Sequence, residues 1–145
     1  MAPVPPRTAL LPIDMGDEAT AKAALDGALK LLPPDGVLHV ASVLPEFGVA
    51  QVSDYFPENY ERDMLHRFGQ ALKDWVAKEV PEGIEVHPHV LHGTVYDEIL
   101  RAADAVGADV IVMGAHRPEL SDYLLGSNAA RVVRHANQSV YVIRH

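Results

Sequence analysis

Two hydrophobic periods alternate along this chain. Short, nearly continuous apolar runs are followed by longer stretches whose apolar residues recur every three to four positions. The first run, Thr8 to Asp14, contains Ala9, Leu10, Leu11 and Ile13 and predicts a strand. Asp17, Glu18 and Thr20 then supply helix-start chemistry. Ala21, Ala24, Leu25, Ala28, Leu31 and Leu32 continue at helical spacing until Pro33-Pro34, which cannot extend a helix. A second strand is expected over Gly36 to Val43. Beyond it lies a long connection to about Pro57, and then a helix to Val80 on which Leu65, Phe68, Leu72 and Val76 share a face. Ile84 to Leu91 predicts a third strand, and Val95, Ile99, Ala103 and Val106 mark a third helical face.

The run Val110-Ile111-Val112-Met113 is too continuously apolar for a strand with a wet face, so both its faces are expected to be covered. A loop from Gly114 leads to Gly126-Ser127-Asn128, a short helix, and a last strand, Ser139 to Arg144. Strictly alternating strand and helix predicts one α/β domain over residues 1–145, a three-layer α/β/α sandwich around a five-stranded parallel sheet. Right-handed crossovers leave two doubly wound strand orders open, and either places a ligand crevice at the carboxyl ends of the strands. Those ends begin at Asp14, Val43, His92 and Gly114.

Composition narrows the chemistry. With 48% hydrophobic and 22% charged residues the chain is of ordinary globular make-up. The absence of cysteine removes disulfides, thiolate metal sites and thiol catalysis, and fits a reducing compartment. A net charge of −8 opposes nucleic acid as a partner. No apolar run approaches the roughly 18 residues of a membrane span, and Met1 to Pro6 lacks the apolar core of a secretion signal. The expectation is a soluble cytoplasmic protein. The charge is unevenly spread: residues 114–145 carry +2 and residues 1–113 carry −10.

The first turn, Met15-Gly16-Asp17-Glu18, lacks the bare glycines of a dinucleotide fold and has the wrong sign for a flavin phosphate. No Gly-Lys-Ser/Thr exists, which excludes a P-loop. A phosphoacceptor receiver would need a lysine ending its last strand, and every lysine here precedes residue 79.

Asp14 is equally a turn carboxylate or a group able to hold a ribose hydroxyl or a metal. Gly114 falls where the fourth strand meets the crevice, and a glycine there lets a ligand approach the backbone. Gly126-Ser127-Asn128 opens a helix whose free N–H groups suit an anion, although the same triplet serves as a plain helix cap. The two glycine sites together, after a buried parallel strand, favour the ligand. His116 lies inside the glycine loop with no Ser or Asp partner placed for a triad. His87 and His89 share a strand face, but a solvated sheet edge explains them better than a metal site, and no metal site is assigned. Phe47, Tyr55, Phe56 and Tyr60 form either a lid or partner surface, or a satellite hydrophobic cluster. Trp75 is expected to pack on the sheet.

These residues resemble the universal stress proteins, of the UspA-like kind, over nearly the whole chain. The likeness runs through Leu11-Pro12-Ile13-Asp14, Ser42-Val43-Leu44-Pro45 and Gly93-Thr94. It is most specific in Val110 to Arg117 and Tyr123 to Ala130, and His116-Arg117-Pro118 with Leu124-Leu125-Gly126-Ser127-Asn128 looks most like the enterobacterial F and G branch. The resemblance implies strand order 3-2-1-4-5 and ATP, with or without Mg, in the crevice. It places Asp14 at the ribose, the backbone of Val43 at the adenine edge and Gly114 beside the ribose and phosphates. It assigns His116 and Arg117 to the same loop, and Gly126, Ser127 and Asn128 to the phosphates. It also implies a homodimer through the final strand, with Val140, Val142 and Ile143 at the edge, and allows a tetramer.

One departure stands out. The family's nucleotide binders carry Gly-x-x-Gly, nine residues, then Gly-Ser/Thr; here Arg117 replaces the second glycine, and eight residues separate it from Gly126. An arginine can clamp a phosphate or fill its place. The leading expectation is an ATP-binding regulator of the stress response. The rivals are slow ATP hydrolysis or autophosphorylation involving Ser121, Ser127 or His116, and a nucleotide-free interaction module closed by Arg117.

Overall fold

The apolar run at the start of the chain becomes β1 (Thr8–Pro12), whose three central residues are fully buried. It stops two residues short of Asp14 because Asp14 already belongs to a turn. Its carbonyl accepts from the Asp17 N–H at 3.0 Å, and its Oδ1 accepts from the Gly16 N–H at 2.8 Å. The computed structural model describes residues 5–44, 60–115 and 126–144.

After the turn, α1 (Glu18–Leu31) starts at the N-cap Asp17. The Asp17 carboxylate accepts from the Thr20 backbone N–H at 3.2 Å and from its hydroxyl at 2.7 Å, satisfying an orphan donor of the first turn. β2 (Val37–Leu44) follows Pro33-Pro34, then α2 (Tyr60–Glu79) and β3 (Glu85–His92). Next come α3 (Val95–Ala105), β4 (Val110–Gly114), α4 (Ser127–His135) and β5 (Ser139–Ile143). At the end of α3 the chain reverses through Gly107, whose φ of 66° lies in the left-handed region that favours glycine. The Gly107 N–H donates to Asp104 O and the Ala108 N–H to Ala103 O.

The sheet order is β3-β2-β1-β4-β5, and every neighbouring pair is parallel. This is the order that the family resemblance implied. Helices cover both faces. On one, Ala21, Leu25 and Ala28 of α1 and Leu72, Trp75 and Val76 of α2 pack on Leu11, Leu38, Val40 and Val112. On the other, Ile99 and Ala103 of α3 and Ala129 and Val132 of α4 pack on Leu10, Ala41, Ile111 and Met113. Burying a side chain such as Leu25 or Ile111 completely stabilises the fold by about 1.5–3 kcal/mol. Trp75 faces the sheet, as its helical position suggested, and β4 is buried at Val110 through Met113.

The two sheet edges differ. β3 carries Pro88 and Glu85, residues that blunt an edge against further pairing. β5 carries neither proline nor charge, and Tyr141 on it is 41% exposed.

Candidate functional site

Parallel strands with helices on both faces leave a crevice where the chain turns from each strand to the next helix, at the carboxyl edge. Here the ends of β1, β2 and β4 surround a cavity of about 420 Å3, within the usual range for small-molecule sites. Pro12, Ile13 and Asp14 line it from β1, Val43 from β2, and Met113, Gly114 and Ala115 from β4. The first turns of α1 and α4 supply Asp17, Thr20, Gly126 and Asn128. Val95 and Ile99 of α3 form an apolar wall.

Hydrogen bonds hold these chain ends together. The buried Ser42 hydroxyl donates to the Ile13 carbonyl at 2.8 Å, joining the end of β2 to that of β1. The Ile13 N–H donates to Ala41 O at 2.8 Å, and the Ala115 N–H to Ile143 O at 3.0 Å. The walls of the crevice are therefore built on rigid strands, which position polar groups more closely than loops do.

The polar groups divide by sign. On the α1 side stand the carboxylates of Asp14 and Asp17. Asp17 is engaged in capping the helix, whereas Asp14 is exposed and, among the described residues, takes the Gly16 amide on one oxygen. Its other oxygen can accept a ligand hydroxyl. Opposite stands the start of α4, with Gly126 at the N-cap, no side-chain cap and no acidic residue in the first turn. The positive end of that helix dipole is not neutralised from within the helix, which favours an anion.

The fold thus brings together Asp14, Val43, Gly114, Gly126 and Asn128 from four separate segments. Ser127 is exposed on the first turn of α4 and is not among the residues lining the cavity. His116 and Arg117, Ser121, and Phe47, Tyr55 and Phe56 lie outside the described residues; Tyr60 opens α2. Sequence reasoning missed the lining contributed by Pro12, Thr20, Val95, Ile99 and Met113. The usable signal was their place at the carboxyl end of a strand or in the first turns of the helix that follows. Gly114 has a second reason to be glycine: a Cβ there would overlap Cγ2 of Thr20. His92 ends β3 and pairs through Nδ1 with Glu61 of α2 at 3.2 Å. It is not among the residues lining the cavity.

Among the described residues, no group of three or more His, Cys, Asp or Glu is placed to hold a metal ion. No helix among them is long and apolar enough to cross a membrane.

The chain is 33% identical over 140 residues to Universal stress protein G of Escherichia coli O157:H7, covering 95% of this chain and 99% of that one. In structure it is similar to the hypothetical protein MJ0577 of Methanocaldococcus jannaschii, with a TM-score of 0.80 at 25% identity and 98% of each chain covered. A universal stress protein family protein of Arabidopsis thaliana, solved with AMP bound, shares the fold, with a TM-score of 0.64 at 20% identity, over 97% of this chain and 92% of that one. The Usp model, described as the universal stress protein family, matches residues 6–144. With the sheet order, the carboxyl-edge crevice and this match across the chain, the protein belongs to the universal stress protein family.

Proposed function

We propose that the crevice binds an adenine nucleotide, with ATP as the expected ligand, and that the protein acts as a sensor or regulator in the stress response. One observation carries this reading. A single cavity joins a carboxylate suited to a ribose, Asp14, to an α-helix N-terminus suited to phosphate, at Gly126 and Asn128. The apolar wall of Val95 and Ile99 and the backbone at Val43 suit a planar base between them. That a protein of the same fold was solved with AMP bound agrees with the size and chemistry of the crevice. If Mg accompanies the nucleotide, the phosphates would supply most of its ligands, since it is commonly held by one or two carboxylates plus phosphate oxygens.

Regulation would follow from linkage. A ligand bound only by the folded chain stabilises it by RT ln(1 + [L]/Kd), and a dimer contact that prefers the bound form is strengthened at saturation by the same factor by which dimerisation tightens nucleotide binding. The dimer contact we propose is the β5 edge, with Val140, Val142 and Ile143, because it is the sheet edge without proline or charge.

Calorimetric titration of the purified protein with ATP, AMP and cyclic AMP tests the nucleotide reading. Saturable binding supports it, and no heat at millimolar nucleotide overturns it. Arg117→Ala separates the two roles of the arginine: weaker binding marks a phosphate clamp, and tighter binding marks a plug.

A further inference from the structure

Away from the crevice, on the sheet face that carries α3, one imidazole lies in contact with two others. His39 on β2 is the register partner of His87 on β3, and His89 is two residues farther along. The His39 ring stacks on that of His87 with centroids 5.1 Å apart, and on that of His89 at 5.0 Å. Nδ1 of His39 lies 2.8 Å from Nε2 of His89, a hydrogen bond that crosses from β2 to β3. His87 in turn meets Glu85 at 2.7 Å.

We propose that this cluster is an acid-sensitive latch, which holds the edge strand β3 to β2 while His39 and His89 are neutral and loosens that edge when they take up protons. The bond between His39 and His89 needs a lone pair on one of the two facing nitrogens. Once both rings are protonated, two N–H groups face each other and the bond is lost. The stacked rings place His39 against both histidines of β3, so a charge on one ring is felt by the others.

Glu85, beside His87, acts on His39 against the effect of burial, favouring its charged form, and is outweighed by burial and the two neighbouring imidazoles. The ionisable groups of α3, which packs on the same face, are engaged elsewhere. Asp97 pairs with Arg101, Glu98 packs at Gly93, Asp104 accepts from Gln138, and Tyr96 lies under Arg131 of α4. Partial burial, then the neighbouring imidazoles, hold His39 below its ordinary value, and burial followed by His87 does the same for His89. Because the folded chain resists protons that the unfolded chain accepts, this stabilisation is complete above pH about 6.5 and is lost as pH falls below it.

The test is NMR on the full chain. Histidine titration is expected to place the midpoints of His39 and His89 below 6.5. Protection factors of the β3 amides, such as Val86 and Val90, are expected to fall several-fold from pH 7.5 to pH 5, while those of Ile111 and Val112 in β4 hold. His89→Gln should reduce that pH dependence, and His39→Gln together with His89→Gln should abolish it. The unsubstituted chain decides the matter even if the variant does not fold. Midpoints at or above 6.5, or β3 protection that follows β4 at both pH values, overturn the proposal.

Discussion

Thr20 occupies the space that a side chain on Gly114 would need. A Cβ built on Gly114 overlaps Cγ2 of Thr20 and comes within 3.5 Å of the Thr20 carbonyl oxygen. The first turn of α1 therefore rests directly on the end of β4, and both residues line the crevice. The glycine lets the helix close against the sheet while its backbone lines the crevice.

Gly114→Ala is thus expected to destabilise the protein by about 1–3 kcal/mol, as overpacking does, even though alanine suits a strand better than glycine. Urea denaturation measures the loss. Adding Thr20→Ser removes the offending methyl but keeps the hydroxyl that donates to Asp17, so the double variant should recover most of the stability. No recovery would place the constraint in the Thr20 backbone.

Ser42→Ala leaves the Ile13 carbonyl without its buried donor. The expected cost is about 1–3 kcal/mol in the same assay. Because Ile13 and Val43 both line the cavity, nucleotide affinity should fall as well.

Asp14→Ala is expected to weaken nucleotide binding roughly 10-fold or more, the scale of a lost hydrogen bond to a charged group, with little effect on folding because the side chain is exposed. Calorimetry gives the affinity. Denaturation with nucleotide at 100 times its Kd should show about 2.7 kcal/mol of stabilisation for the unsubstituted chain and much less for the variant at that concentration.

Tyr141→Lys places a charge on the exposed edge of β5. If that edge joins two copies, sedimentation should show a dimer for the unsubstituted protein and a monomer for the variant, with unchanged circular dichroism. A variant that remains dimeric assigns the contact to another surface.

The alternation of strands and helices was legible in the chain because hydrophobic period is a local property. A strand such as Val110 to Gly114 announces its burial by being apolar throughout, and Pro33-Pro34 marks the end of α1 without reference to any other residue. From alternation follows the parallel sheet, and from the sheet follows the edge at which Asp14, Val43, Gly114, Gly126 and Asn128 meet. The family likeness of those same segments pointed to the strand order.

What lay beyond the sequence is whatever depends on two distant residues sharing space. The pattern of apolar positions allowed two strand orders, since each strand's burial reads the same whichever neighbour covers its flank. His87 and His89 suggested a solvated edge by themselves; the β2–β3 register is what sets His39 against them, 50 residues before His89. Ser127 and Asn128 are neighbours in the chain, yet the turn of α4 leaves only Asn128 lining the cavity. The chain's own periodicity determined which elements form and which of their ends would meet. Tertiary packing decided which side chains touch, because contact between distant segments is set by register and helix rotation, and neither is a local property.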